Sequence, residues 1–389
     1  MYIFLLITIF FTLLTNVTSN IFEAWSTNKI LERDGYNRET HNITTEDGFI
    51  LSLHRIPGKV NSTPVLLMHG LLCDSTIWII LGKNKSLAYL LADKGYDVWL
   101  GNSRGSTYGM SHVNLTTRDF KFWDFSFNEM GVYDLPATIN YITNITKQKV
   151  IVIGHSQGTR INFIMESERP EITEKVKALI CLAPVAFLRH VEPHVQKFSF
   201  FLAQFLNLYR ELGIMNYFGV LTRLYQTIYS LGCRLPIIQQ MDFCRILNFS
   251  IMGPENEQLI DSTLQPILSN FPAGTSSKNI RHFLQGITSQ TFSKYDYGET
   301  KNLEIYNSSK PPEYNLSRVT SPVALIYSEG DWYTDPMDVD ALSEQLPNVV
   351  DKYKVSYQKF SHMDFLWAKD AKSLVYDHVI ELVKNFTDS

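Results

Sequence analysis

Short apolar runs of four to seven residues recur along the chain, each closed by a glycine or polar turn, with longer amphipathic stretches between them. Pro64-Val65-Leu66-Leu67-Met68, Tyr96-Asp97-Val98-Trp99-Leu100, Val150-Ile151-Val152-Ile153, Ala178-Leu179-Ile180-Cys181-Leu182-Ala183 and Pro322-Val323-Ala324-Leu325-Ile326-Tyr327-Ser328 are such runs. They are too short for buried helices and lack the apolar/polar alternation of a half-exposed strand, so they predict strands buried on both faces. The segment 43–53 does alternate, with Glu46-Asp47-Gly48 as its turn, and predicts an antiparallel hairpin leading into the sheet. Helical spacing is expected from Asn128 onward, over 157–168 and over 371–385, and a last strand over 350–357. Strands and helices in alternation predict an α/β fold with a mostly parallel central sheet covered on both faces.

The alternation stops after Ala186. From 187 to 314 the spacing is helical and dense in aromatics, among them Phe198, Phe200, Phe201, Phe205, Tyr209, Tyr217, Phe218, Tyr225 and Tyr229. These stripes read as core, and the whole segment reads as a helical cap inserted between two strands. The division is therefore 20–186 and 315–389 as sheet core and 187–314 as cap.

The 389 residues suffice for one large domain with such an insertion. A net charge of −4, with no basic patch, argues against a nucleic-acid partner. Residues 1–19 begin with an apolar run and end with Val17 and Ser19 at the small-residue positions of a cleavage site, which predicts a signal peptide. The run is shorter than the roughly 20 residues a spanning helix needs, so no transmembrane anchor is expected. Asn-x-Ser/Thr occurs at Asn42, Asn61, Asn84, Asn114, Asn144, Asn248, Asn307, Asn315 and Asn385, as in a glycoprotein of the secretory pathway. Four cysteines are too few for a disulfide framework. Cys181 reads as a buried thiol and Cys73 as a loop residue; Cys233 and Cys244 share one local segment and are the candidate pair.

The run 150–153 meets Gly154-His155-Ser156-Gln157-Gly158, the G-x-S-x-G pattern of a nucleophile elbow. A strand that turns at once into a helix forces the turn residue to positive φ, and glycines two positions either side remove the collision between the two elements. An acid past a later strand and a histidine past the last one complete the Ser, Asp, His order of the α/β-hydrolase fold. Asp331 and Asp335 compete for the acid. Asp331 sits in the strand-end turn after Gly330, whereas Asp335 precedes Pro336 as a helix cap does, so Asp331 is preferred. His362 is the histidine between the last strand and the final helix; His378, inside that helix, reads as a solvated surface residue. Backbone N–H groups of Gln157 and Leu71 are the candidate oxyanion donors, and His69 reads as a structural histidine bonded to neighbouring backbone. His190 and His194 fit helix spacing but lack a third ligand, so no metal site and no cofactor are expected.

Together the motifs resemble the acid lipases, the group that includes gastric and lysosomal acid lipases and secreted insect relatives. The resemblance runs over 28–385 and is carried by His69-Gly70-Leu71-Leu72, Gly101-Asn102-Ser103-Arg104-Gly105, Phe125-Ser126-Phe127-Asn128-Glu129-Met130-Gly131, the elbow, Leu182-Ala183-Pro184-Val185-Ala186, Pro272-Ala273-Gly274-Thr275-Ser276 and 331–339. It implies Ser156, Asp331 and His362 as a triad, Leu71 and Gln157 as oxyanion donors, a mobile lid within 220–249, and long-chain acylglycerols or sterol esters at a lipid–water interface as substrates. Arg160 departs from the pattern, which places a small hydroxyl residue there, and Met252 lies near a cysteine of the vertebrate relatives. A carboxylesterase for soluble esters and a non-catalytic lipid-binding protein on the same scaffold remain as alternatives.

Overall fold

The computed structural model describes residues 25–211 and 257–388. The expected leader 1–19, the expected lid 220–249, Asn248, Met252 and the candidate pair Cys233 and Cys244 lie outside the described residues.

Among the described residues nine strands form one sheet: β1 (Glu39–Thr44), β2 (Phe49–Ile56), β3 (Pro64–Met68), β4 (Asp97–Leu100), β5 (Ser111–His112), β6 (Val150–His155), β7 (Val176–Leu182), β8 (Val323–Tyr327) and β9 (Val349–Lys354). Their order is β1-β2-β4-β3-β6-β7-β8-β9, with β5 against β2. β1 and β2 form the antiparallel hairpin, β2 joins β4 antiparallel, and every pairing from β4 to β9 is parallel. The longer helices are α1 (Thr27–Arg33), α2 (Leu87–Asp93), α3 (Leu135–Thr146), α4 (Gln157–Glu168), α5 (Pro193–Glu211), α6 (Asp261–Asn270), α7 (Ser277–Ser289), α8 (Glu299–Tyr306), α9 (Pro336–Gln345) and α10 (Asp377–Asp388).

The continuous apolar runs have a simple cause. Successive residues of a strand point to opposite faces. Val65, Leu67, Ile151, Ile153, Ile180 and Ile326 pack with α1, α2 and α10 on one side. Leu66, Met68, Val152, Leu179, Cys181 and Leu325 pack with α3, α4 and α9 on the other. Both sets are buried, so neither parity of the strand can be polar, and each such side chain contributes roughly 1.5–3 kcal/mol. The edge strand β9 instead alternates half-buried with exposed positions, and its charged Lys352 and Lys354 discourage pairing with another chain.

Two expectations change here. His378 is half-buried, stacks on Tyr353 at 4.3 Å and bonds Asp351 at 2.8 Å, tying α10 to β9. Phe200 and Phe201 are not core: both are exposed on α5, while Val195 and Leu202 of the same helix turn inward. The side chains of Phe198, Phe205 and Tyr209 lie outside the described set.

Candidate active site

Ser156 links β6 to α4 with φ 53° and ψ −117°, in the left-handed half of backbone space. A non-glycine residue held there costs on the order of 1–3 kcal/mol. Its neighbours hold it: Ser156 N–H donates to Leu182 O at 3.0 Å, and the Thr159 hydroxyl donates to Ser156 O at 2.7 Å while accepting from Val185 N–H at 2.9 Å. Both glycines are sterically required. A Cβ on Gly154 would stand 2.7 Å from the Gly158 carbonyl carbon, and one on Gly158 would strike the Met68 carbonyl oxygen.

Three side chains from separate strand ends meet at this elbow. The Ser156 hydroxyl lies 2.8 Å from His362 Nε2, and His362 Nδ1 lies 2.7 Å from Asp331 Oδ2. The other Asp331 oxygen accepts from Tyr333 N–H at 2.8 Å and Thr334 N–H at 3.1 Å. Burial by itself raises the Asp331 pKa, but the charge and hydrogen bond of His362 and the two N–H donors outweigh it and hold the carboxyl below its ordinary value. Asp335 lies outside this relay; it caps α9, accepting from Met337 N–H at 2.8 Å. His155 fixes the far side of His362 by donating its Nε2–H to the His362 carbonyl at 2.9 Å. Burial, reinforced by the nearby His362, pulls His155 down to about 3, so it adds no charge beside the relay at neutral pH.

The loop after β3 passes directly over the serine. A Cβ on Gly70 would stand 2.9 Å from His155 Nδ1 and 3.2 Å from Ser156 Cβ. Among the described residues neither Leu71 N–H nor Gln157 N–H has a hydrogen-bond partner, so both remain available to an incoming oxyanion. His69 braces the loop, donating from Nδ1 to Gly70 O at 2.8 Å and accepting Ser103 N–H on Nε2 at 3.1 Å.

The supports of this loop are what sequence reasoning missed. Asn102 accepts Ser75 N–H at 2.8 Å and donates to Ser52 O at 2.8 Å. Arg104 pairs with buried Asp134 at 2.6 Å and with Asp47 at 2.5 Å. His54 completes the cluster through Ser75 Oγ at 3.0 Å. The one sequence signal was the polar run 101–105 closing an apolar strand, where a plain turn would serve.

Burial lowers the His54 pKa to about 4. Below its unfolded value of about 6.5 the unfolded chain gains a proton here that the folded chain refuses. This site's stabilisation is therefore complete above pH 6.5 and is lost as pH falls toward 4. His54→Gln is expected to remove about 3 kcal/mol of the stability lost between pH 7 and 4, measured by urea unfolding at both pH values. An acid-induced loss unchanged by the substitution would overturn this account.

A cavity of about 220 Å³ opens over Ser156 and His362. Its wall is mainly apolar, with Leu71, Leu72, Val185, Leu188, Ile280, Phe283, Leu284 and Ile287 among its side chains, and Tyr333, His194 and the buried thiol of Cys73 add little polarity. Arg160, the departure noted above, lies one turn along α4 from the serine and is fully buried among Phe127, Phe283 and Phe292. Among the described residues no three His, Cys, Asp or Glu side chains are placed to hold a metal ion. His190 bonds Asp338 at 2.8 Å, and His194 packs edge-on against Trp332 with ring centres 4.0 Å apart.

A strand-to-helix elbow carrying serine, served by an acid and a histidine from later ends of the same parallel sheet, defines an α/β-hydrolase. The model of the α/β hydrolase fold family matches residues 63–369, and that of the partial α/β-hydrolase lipase region matches 27–82. Lipase 1 of Drosophila melanogaster is 38% identical over 361 residues, covering 92% of this chain and 79% of that protein. Gastric triacylglycerol lipase of Bos taurus is 37% identical, covering 96% and 94%, and lysosomal acid lipase/cholesteryl ester hydrolase of Macaca fascicularis is 37% identical, covering 92% and 90%. The chain belongs to the acid lipase family. Among solved structures, an epoxide hydrolase of Vigna radiata superposes with TM-score 0.51 at 16% identity, covering 90% of this chain and 98% of that one, a likeness of fold alone.

Proposed function

We propose that this protein hydrolyses carboxylic esters of lipids through an acyl-enzyme, with Ser156 as nucleophile, His362 as general base and acid, Asp331 as its orienting acid, and Leu71 and Gln157 N–H as oxyanion donors. The observation that carries this reading is the Ser156–His362–Asp331 relay, 2.8 Å and 2.7 Å long, at the floor of an apolar cavity. Ser156 Oγ attacks the ester carbonyl carbon while His362 Nε2 takes its proton; the carbonyl oxygen, now negative, turns to the two N–H donors. The tetrahedral species expels the alcohol, which leaves with the proton from His362. Water then gives a proton to the same nitrogen as it attacks the acyl carbon, and His362 returns that proton to Ser156 Oγ as the fatty acid leaves, restoring the free enzyme. Asp331 holds Nδ1–H and stabilises the imidazolium in both halves, and no step needs a cofactor.

The lining favours a hydrocarbon acyl chain, and the names of two relatives, gastric triacylglycerol lipase and lysosomal acid lipase/cholesteryl ester hydrolase, point the same way. Residues 187–314 act as a cap: α5 and α7, both from that insertion, supply the outer wall of the cavity. Passage through the secretory pathway is supported by the sequons. Asn42, Asn61, Asn84, Asn114, Asn144, Asn307, Asn315 and Asn385 all lie exposed. No helix among the described residues is long and apolar enough to cross a membrane.

Expression through a eukaryotic secretory system tests the reading. The medium should contain protein whose mass falls on enzymatic removal of N-glycans and which releases fatty acid from emulsified triacylglycerol or sterol ester. Hydrolysis confined to dissolved short-chain esters would instead make it a soluble carboxylesterase. Lipid binding without any hydrolysis would make it a binding protein.

A further inference from the structure

Helix α7 touches the nucleophile helix and lines the cavity with two adjacent faces. Asn279, Phe283 and Gly286, spaced i, i+4 and i+7, meet the first turn of α4. Ile280, Leu284 and Ile287, one position on, face the cavity over Ser156. The grip is made by two side chains of α4 that are themselves three residues apart. Gln157 Oε1 accepts from Asn279 Nδ2 at 2.7 Å, and the Arg160 guanidinium lies 4.3 Å from the ring centre of Phe127, 4.9 Å from Phe283 and 5.1 Å from Phe292.

Both contacts are buried, and the Asn279 amide is held in place by a second bond from Nδ2 to Thr275 Oγ1 at 3.0 Å. Asn279 and Arg160 are each 1% exposed or less. Arg160 donates from Nη2 to Ala186 O at 3.1 Å, and its Nε and Nη1 find no acceptor among the described residues. The guanidinium is therefore held chiefly by ring faces, whose negative quadrupoles attract a cation. Gly286 leaves room for the guanidinium: a Cβ there would stand 3.3 Å from Arg160 Nη2, close enough that the arginine would have to shift by a few tenths of an ångström. The oxyanion donor itself does not depend on this grip, because the backbone at 156–159 is fixed by Leu182 and Thr159.

We infer that Asn279 and Arg160 are positioning residues that clamp α7 onto the nucleophile helix and so set the acyl-chain wall in register with Ser156, making them determinants of acyl-chain-length selectivity. The clamp rests on the ester-hydrolase reading above. A chain long enough to touch Ile280, Leu284 and Ile287 depends on it, whereas an acetyl group lies at the serine and does not. Each methylene that loses the wall weakens binding about fourfold, so a long chain that loses two of them is bound on the order of tenfold less tightly, and the loss falls on binding in the cavity.

The test uses the full-length protein and p-nitrophenyl esters from acetate to decanoate, with active sites counted by an organophosphonate. N279L and R160M are expected to keep acetate kcat/KM within about threefold and to lose about tenfold or more on decanoate, mostly in KM. G286A, which presses one methyl group against Arg160, should move the profile in the same direction and serves if R160M does not fold. Equal loss on every ester after counting, or an unchanged chain-length profile, overturns the clamp. A wild-type protein that cleaves none of the esters sinks the hydrolase reading itself, while one that cleaves them all with variants indistinguishable from it sinks the clamp alone.

Discussion

Ser156→Ala is expected to lower ester turnover on the order of 10⁶-fold, to the level left by the oxyanion donors and binding alone. The size follows from how the relay is built. Nothing else at the elbow can attack: Thr159 spends its hydroxyl on Ser156 O, and Cys73, though it borders the cavity, has its thiol pushed far above the usual range by burial. His362→Ala should cost nearly as much, because a serine hydroxyl without a base is a poor nucleophile, and the double substitution should be scarcely worse than either alone. Stability should hold. Alanine meets the same cost as serine at φ 53°, and the backbone bond to Leu182 persists. Fatty-acid release, read together with thermal unfolding, decides the matter: a folded Ser156→Ala protein that keeps most of its turnover removes Ser156 from the mechanism.

Asp331→Asn should cost on the order of 10⁴ in turnover with little change in structure. The amide that replaces the carboxylate keeps an acceptor for Tyr333 N–H and Thr334 N–H only by turning its NH₂ toward His362. That NH₂ demands an unprotonated Nδ1, which moves the proton to Nε2 and leaves nothing to accept the serine hydroxyl proton. Turning the amide the other way sets its NH₂ against the two N–H groups. Asp335→Ala, by contrast, should leave turnover intact and cost about 1 kcal/mol of stability, the usual loss of a helix cap. The reverse pattern in the two variants would assign the acid to Asp335. The sign of the pH effect is also fixed. Because the folded Asp331 pKa lies below the ordinary carboxylate value of about 3.9, its stabilising charge is complete above that value and is lost only as pH falls through the lower, folded one. The acid limb of a pH–rate profile in the range above pH 4 is therefore not set by Asp331.

Much of the site was legible because its signals are local. The elbow needs β-branched residues, two glycines and a serine within a dozen positions, since a strand and helix that pass so closely tolerate no side chain between them. The Asp331 turn and the His362 loop each follow a strand end, and the parallel sheet brings all such ends to one edge whatever lies between them in sequence. Apolar runs without alternation foretold strands buried on both faces, and the hairpin showed itself by alternating.

The sheet order and the supports of the site were decided only by tertiary structure. Nothing near Gln157 in sequence points to Asn279, 122 positions away, or sets Arg160 among three rings drawn from two other segments. Asn102, His54 and Ser75 become one brace only after β2 and β4 pair. Sequence periodicity states that a face is apolar and not what covers it, which is why the aromatic stripe of α5 read as core although Phe200 and Phe201 lie exposed, and why His378 read as solvated although it packs on Tyr353. Local backbone preference and burial pattern fix each element and its reactive turn; the polar and cationic contacts that aim those turns join residues far apart in the chain, and only the packed fold brings them together.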